Sequence, residues 1–126
     1  MTTVYEAIMR AADHIERNPE NYAFGCLFVP CDGEPGCMWG HIGRALGMDD
    51  DTGNLEVAEA CGAFSTTRLY DFAHSHFPGY TLDPILAAKA MRAYANEFHA
   101  PRDLIPAGVR EIFAHTYTAK DLTPHV

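Results

Sequence analysis

The chain has no apolar run approaching the roughly 18 residues of a membrane-spanning helix, and charged Glu6, Arg10, Asp13, Glu16 and Arg17 occupy its N-terminal stretch. A secretory leader needs an uninterrupted apolar segment there, so a cytoplasmic protein with no membrane partner is expected. Basic residues are scarce: 9 Lys and Arg stand against 17 Asp and Glu, a formal net charge of −8. That field repels phosphate backbones at long range and argues against nucleic acid as a direct ligand. Also missing are a phosphate-binding loop, a dinucleotide fingerprint and a serine nucleophile elbow, so no cofactor is expected. With no internal repeat, no low-complexity segment and no long linker, the 126 residues are expected to form a single domain. A chain of this size buries about two-thirds of its unfolded surface and needs no disulfide staples. Cys26, Cys31, Cys37 and Cys61, lacking an export signal, are accordingly read as reduced thiols.

What the sequence does contain is helical periodicity. Thr3 and Glu6 have capping-box spacing, and Val4, Ile8, Ala11, Ala12 and Ile15 then share one face, predicting a helix from Thr3 to Arg17 that stops at Asn18-Pro19. On its outer face Glu6–Arg10 and Asp13–Arg17 are acid-before-base pairs four apart. Residues 22–29 alternate, with Tyr22, Phe24, Cys26 and Phe28 on one side, and predict a short strand buried on both faces, leading into a turn-rich stretch at 30–36. From Cys37 to Gly47 the spacing is helical again. Met38, Trp39, Ile42, Ala45 and Leu46 fill one arc, and Gly40, Gly43 and Gly47 the next. Glycine inside a helix costs about 1 kcal/mol relative to alanine, so Gly40 and Gly43 argue for a backbone packed closely on that face, within the chain or across a homodimer. Gly47 reads as the stop.

Asn54 is expected to cap a short helix to Gly62, and Ser65-Thr66-Thr67 to open one with Leu69, Phe72, Ala73 and His76 at core spacing. Asp83-Pro84 opens the clearest amphipathic element, to His99, with Ala87, Met91, Tyr94 and Phe98 inward and Lys89, Arg92 and Asn96 outward. A last helix is expected from Pro106 to His115, and residues 116–126 are expected to fray. The fold class is therefore mainly α: a single-domain bundle of about five to six helices with one short strand or hairpin near residues 22–36.

Three constellations carry candidate chemistry. Cys37, His41 and Arg44 form one stripe; a first-turn Cys37 beside helix-terminal amides, with His41 one turn on, is the local chemistry of an activated thiol, although no orienting group or oxyanion donor is evident. Cys26, Cys31, Cys37 and His41 are ligand types zinc accepts, but without the tight Cys-x-x-Cys knuckle. Trp39, with His41 and Arg44, is a candidate partner-binding patch, and Tyr22, Phe24 and Phe28 add aromatics nearby. His74 and His76 fall on opposite sides of their helix, His76 at the core edge and His74 solvated, and Asp49 to Asn54 lacks the ligand order of a calcium loop.

The segments Ala11-Ala12-Asp13-His14-Ile15, Phe24-Gly25 and Cys37-x-x-Gly40 opening Gly40-His41-Ile42-Gly43-Arg44-Ala45-Leu46-Gly47 resemble a family of small proteins encoded by bacteria and bacteriophages, with a looser match from Asp83-Pro84 to Ala95. That family has no assigned activity, and its members more often carry alanine where this chain has His41. The resemblance implies a phage-associated accessory gene. Together with the acidic charge and the incomplete catalytic set, it leads to the expectation of a non-enzymatic accessory protein that binds another protein, with inhibition of a host defence nuclease as one conceivable role. The alternatives are a thiol-dependent hydrolase or transferase using Cys37 and His41, and a small structural zinc protein.

Overall fold

The computed structural model describes residues 3–31, 33–63 and 65–99. The expected helix at Pro106–His115 and the fraying tail lie outside them. Thr3 adopts an extended backbone and its hydroxyl accepts the amide of Glu6 at 3.1 Å, so α1 (Val4–Arg17) begins where the capping box places it. Its stripe of Val4, Ala7, Ile8, Ala11, Ala12 and Ile15 is buried throughout. A 3-10 turn over Pro19–Asn21 follows. α2 (Met38–Ala45) is capped by Cys37 and closed by Gly47, after which the Met48 amide reaches back to the Gly43 carbonyl and Met48 turns into the core. Three further helices complete the described residues: α3 (Asn54–Ala60), α4 (Thr67–His76) and α5 (Pro84–Phe98). Asp83 caps α5 by accepting the Ile85 and Leu86 amides, with Pro84 at the first helical position.

α1 is the hub, packing on α2 along one side and on α5 along the other; α3 covers α2 and α4 covers α5. Trp39 and Tyr94 meet edge to face at the centre, and Phe72 and Phe98 continue the aromatic run along α4 and α5. α5 buries four alanines, Ala87, Ala88, Ala90 and Ala95, whose small side chains let neighbouring helices approach closely. Across the outer seam of α1 and α5 Arg92 donates to Glu16 at 2.5 Å and to Asp13 at 2.7 Å, so Asp13 is engaged by α5 as well as standing four residues from Arg17.

Residues 22–29 do not form a strand, and no strand occurs among the described residues; there are only isolated bridges, Tyr22 with Gly36 and Phe28 with Gly53. Gly25 takes φ +95°, which breaks an extended run, and the bundle offers no neighbouring strand to pair with. Tyr22 is buried, with its hydroxyl on the Tyr80 carbonyl at 2.9 Å, whereas Phe24 and Phe28 face solvent. The glycine face of α2 is covered by the chain itself: a Cβ at Gly40 would lie 3.0 Å from the Phe28 carbonyl oxygen, and one at Gly43 would lie 2.6 Å from methyls of both Val29 and Val57. Asn54 does not cap α3, whose N-cap is Gly53; its amide nitrogen instead donates to the Cys26 carbonyl and to Cys37 Sγ, tying the irregular segment to α2. His76 is exposed and rests on Phe72 at 4.7 Å, so the core edge ends at Phe72.

Candidate functional site

Cys37 occupies the N-cap of α2, as its place in the sequence suggests, and its sulfur is surrounded by donors: the Gly40 amide at 3.4 Å, Asn54 Nδ2 at 3.1 Å and the Tyr70 hydroxyl at 3.7 Å. The thiol in turn donates to the Cys26 carbonyl at 3.3 Å. Burial outweighs those donors and pushes the thiol pKa up, and burial likewise raises that of the Tyr70 phenol, so no base stands ready beside the sulfur. His41 does not serve as one. Its Nε2 donates to the Asn21 carbonyl at 2.7 Å, and its ring lies against His14 at 5.2 Å. The Cys37–His41 dyad is therefore not assembled, because the helix turns the imidazole toward α1 while Cys37 faces α3 and α4.

The four zinc-type ligands are not gathered either. Cys31 donates to Asp50 at 2.7 Å, Cys26 donates to the Phe28 carbonyl at 2.6 Å, and His41 points to another side. Among the described residues no group of three or more histidines, cysteines or carboxylates is placed to hold a metal ion. Cys37 and Cys61 are buried, while Cys26 and Cys31 are partly accessible. Iodoacetamide is thus expected to label only the latter pair in the native protein, Cys31 slowly because its bond to Asp50 lifts its pKa to about 11. Peptide mapping after a timed quench checks this, and preferential native labelling of Cys37 would restore the activated-thiol reading.

Trp39 cannot belong to a binding surface. It is fully buried and donates Nε1–H to the Thr66 carbonyl at 3.0 Å. Exposed apolar surface lies elsewhere: Phe24 is 50% exposed, Leu27 70%, Phe28 52% and Leu55 51%. Phe24, Leu27 and Leu55, with Cys26, Asn54 and Tyr70, line a groove of about 450 Å³ between the irregular segment and the start of α3. Phe24 is propped by edge-to-face contacts with Tyr70 and Tyr80, both at 5.8 Å, and the Asn54 bond to the Cys26 carbonyl fixes the opposite wall. Sequence reasoning put Phe24 and Phe28 among the candidate aromatics but not Leu27 and Leu55, which lie in separate segments that only the fold brings together.

His41 and Arg44 do meet a second surface feature. Together with Arg10 and His14 of α1 they line a pocket of about 270 Å³ between α1 and α2. Burial depresses the His41 pKa, and the neighbouring His14 and Arg44 add to the effect, against the opposing pull of the Asn21 and Gly36 backbone. Comparison with protein-family models, with curated proteins and with solved structures gives no match.

Proposed function

We propose that this chain is a small, non-enzymatic accessory protein, phage-associated, that acts by binding another protein through the Phe24–Leu27–Leu55 groove. The observation that carries the reading is the exposure of Phe24, Leu27 and Leu55 around one groove, with Phe28 exposed next to Leu27. Isolated exposed apolar residues are ordinary on a protein surface; a cluster with a rigid wall is the form of an interface.

The surroundings set the partner's chemistry. Asp51 precedes the Gly53 wall and Glu56 follows Leu55, both exposed, within a chain of net charge −8. The complement is an apolar segment flanked by Lys and Arg, and a host defence nuclease with a basic groove would match the charge part of it. A buried thiol without a base gives the hydrolase alternative no support.

The test is capture from host lysate, at low and moderate salt, by the wild type and by a Leu27→Asp/Leu55→Asp double variant. Both positions are exposed, so the variant should retain its helical circular dichroism. One stoichiometric partner is expected with the wild type, reduced at least about tenfold with the variant, in line with the loss of central apolar contacts. Failure to recover a stoichiometric partner, or equal recovery by both proteins, would reject the reading.

A further inference from the structure

Two of the four cysteines meet where the irregular segment passes the start of α2. Cys37 Sγ lies 3.3 Å from the Cys26 carbonyl oxygen, so the sulfur of one residue touches the backbone of the other. Cys26 Sγ in turn lies 3.5 Å from the point a Cβ would occupy at Gly40, and the Gly40 amide is 3.4 Å from Cys37 Sγ, so both sulfurs border the same glycine. The Asn54 amide nitrogen donates to both residues, at 2.5 Å to the Cys26 carbonyl and at 3.1 Å to Cys37 Sγ, and holds them in one place. A disulfide needs Cα atoms within about 7 Å, and contact between one sulfur and the other residue's carbonyl is an approach of that order.

The two thiols differ in access. Cys26 is partly accessible and lines the groove beside Leu27 and Leu55, whereas Cys37 is buried. The bond from Cys26 to the Phe28 carbonyl is local, and rotation of the Cys26 side chain releases it. Burial raises the Cys37 pKa and the neighbouring Cys26 adds to the rise, so Cys37 is a protonated thiol at neutral pH. A thiol open to solvent beside a sheltered one is the arrangement of an attacking and a resolving cysteine.

We propose that Cys26 and Cys37 form a reversible oxidation site, at which a hydroperoxide oxidises Cys26 and Cys37 then closes a disulfide onto it. In the first step the Cys26 thiolate attacks one peroxide oxygen. An S–O bond forms, the O–O bond breaks, and the departing hydroxide or alkoxide takes up the proton the thiol gave away, leaving a sulfenic acid and water or an alcohol. In the second step the Cys37 sulfur attacks the Cys26 sulfur. The S–S bond forms, the S–O bond breaks, and the departing hydroxide leaves as water with the Cys37 proton, so the step needs no base beside Cys37. Together the sulfurs lose two electrons and the peroxide gains them. The Gly40 amide, Asn54 and the Tyr70 hydroxyl all donate to Cys37 Sγ and stabilise the negative charge that develops there as its proton leaves. The chemistry does not depend on what occupies the adjoining groove.

The experiment treats the reduced, full chain with hydrogen peroxide, then unfolds it, alkylates the remaining thiols and cleaves after Glu34, which separates Cys26 from Cys37. Expected are a monomer lighter by two hydrogens before alkylation, a peptide pair linked through Cys26 and Cys37, alkylation of Cys31 and Cys61 only, and restoration of the original mass by dithiothreitol. Proximity along the chain alone would favour Cys31 as the partner of either residue, whereas the fold turns Cys31 to Asp50, so the identity of the pair tests the structure. Cys37→Ser blocks the second step and retains a capping oxygen for α2, and dimedone should then capture a sulfenic acid on Cys26. Unreacted Cys26, a main link to Cys31, disulfides formed only between chains, Cys26 carried to the sulfinic acid with Cys37 still free, or dimedone capture on Cys31 alone would overturn the proposal.

Discussion

Trp39→Ala is expected to remove about 3–5 kcal/mol of folding stability, which is a large share of the roughly 5–15 kcal/mol typical of a domain. Trp39 is fully buried at the junction of α2 with α4 and α5, its ring edge meeting Tyr94 at 6.5 Å and its indole N–H donating to the Thr66 carbonyl. Truncation leaves a void that Tyr94 cannot fill without breaking its contacts with Phe72 and Phe98. A fall in Tm of roughly 10–20 °C should follow. Trp39→Phe separates the two contributions: it keeps most of the ring volume but strands the Thr66 carbonyl, and should cost less than the alanine variant. Urea unfolding followed by circular dichroism measures both. A loss below about 1.5 kcal/mol for Trp39→Ala would mean that the ring is not the centre of the core.

The second large effect is at Gly43, where the sign of the change is informative. On a free helix surface, glycine to alanine stabilises by about 1 kcal/mol. Here the new Cβ would lie 2.6 Å from methyl groups of both Val29 and Val57, and both neighbours are β-branched with little freedom at χ1. Overpacking of this kind costs about 1–3 kcal/mol, so Gly43→Ala should destabilise in net terms and Gly43→Leu should fail to fold. Val57→Ala makes room at the same point. The double variant Gly43→Ala/Val57→Ala should therefore be more stable than the sum of the single changes implies, by about 1 kcal/mol, a coupling that chemical denaturation resolves. Stabilisation by Gly43→Ala alone would show that α3 and the Val29 segment do not press on α2 as described.

That close approach was legible in the sequence because two glycines three apart weaken a helix that is otherwise well formed, and the loss is offset where a second backbone or a branched side chain fills the space of the missing Cβ. The termini of α1 and α5 were legible for a similar reason: Thr3 with Glu6 and Asp83 with Pro84 are local signals that act within one turn, and the structure uses both. Residues 22–29 show where such reasoning stops. Alternation records which side chains could share a face, but a strand exists only if a second one is available, and the segment here is held by scattered bonds such as Ala23 to Gly36 and Val29 to Thr52. The site was half legible. His41 and Arg44 were singled out from their stripe on α2, but Arg10 was placed on the outer face of α1 and His14 was given no role, because nothing in a linear pattern says which outer-edge residues face another helix. Asn21, which fixes the imidazole of His41, lies 20 positions away and contributes only its backbone carbonyl, a group that every residue has. Trp39 misled because an apolar arc of Met38, Trp39, Ile42 and Leu46 suits an interface as well as a core.

The docking of α1 on α5 has a consequence for how the chain is made. Their side-chain contacts span long stretches of sequence, 79 residues from Asp13 to Arg92 and 91 from Tyr5 to Asn96. At translation rates of about 5–20 residues per second, α1 waits roughly 4–18 s before its partner has been synthesised. A helix of 14 residues is marginal in water by itself, and α2 can shield only one side of it in the meantime. The stripe of Val4, Ile8 and Ile15 is thus a surface the growing chain shows until α5 arrives, and a segment on which a ribosome-bound chaperone would close.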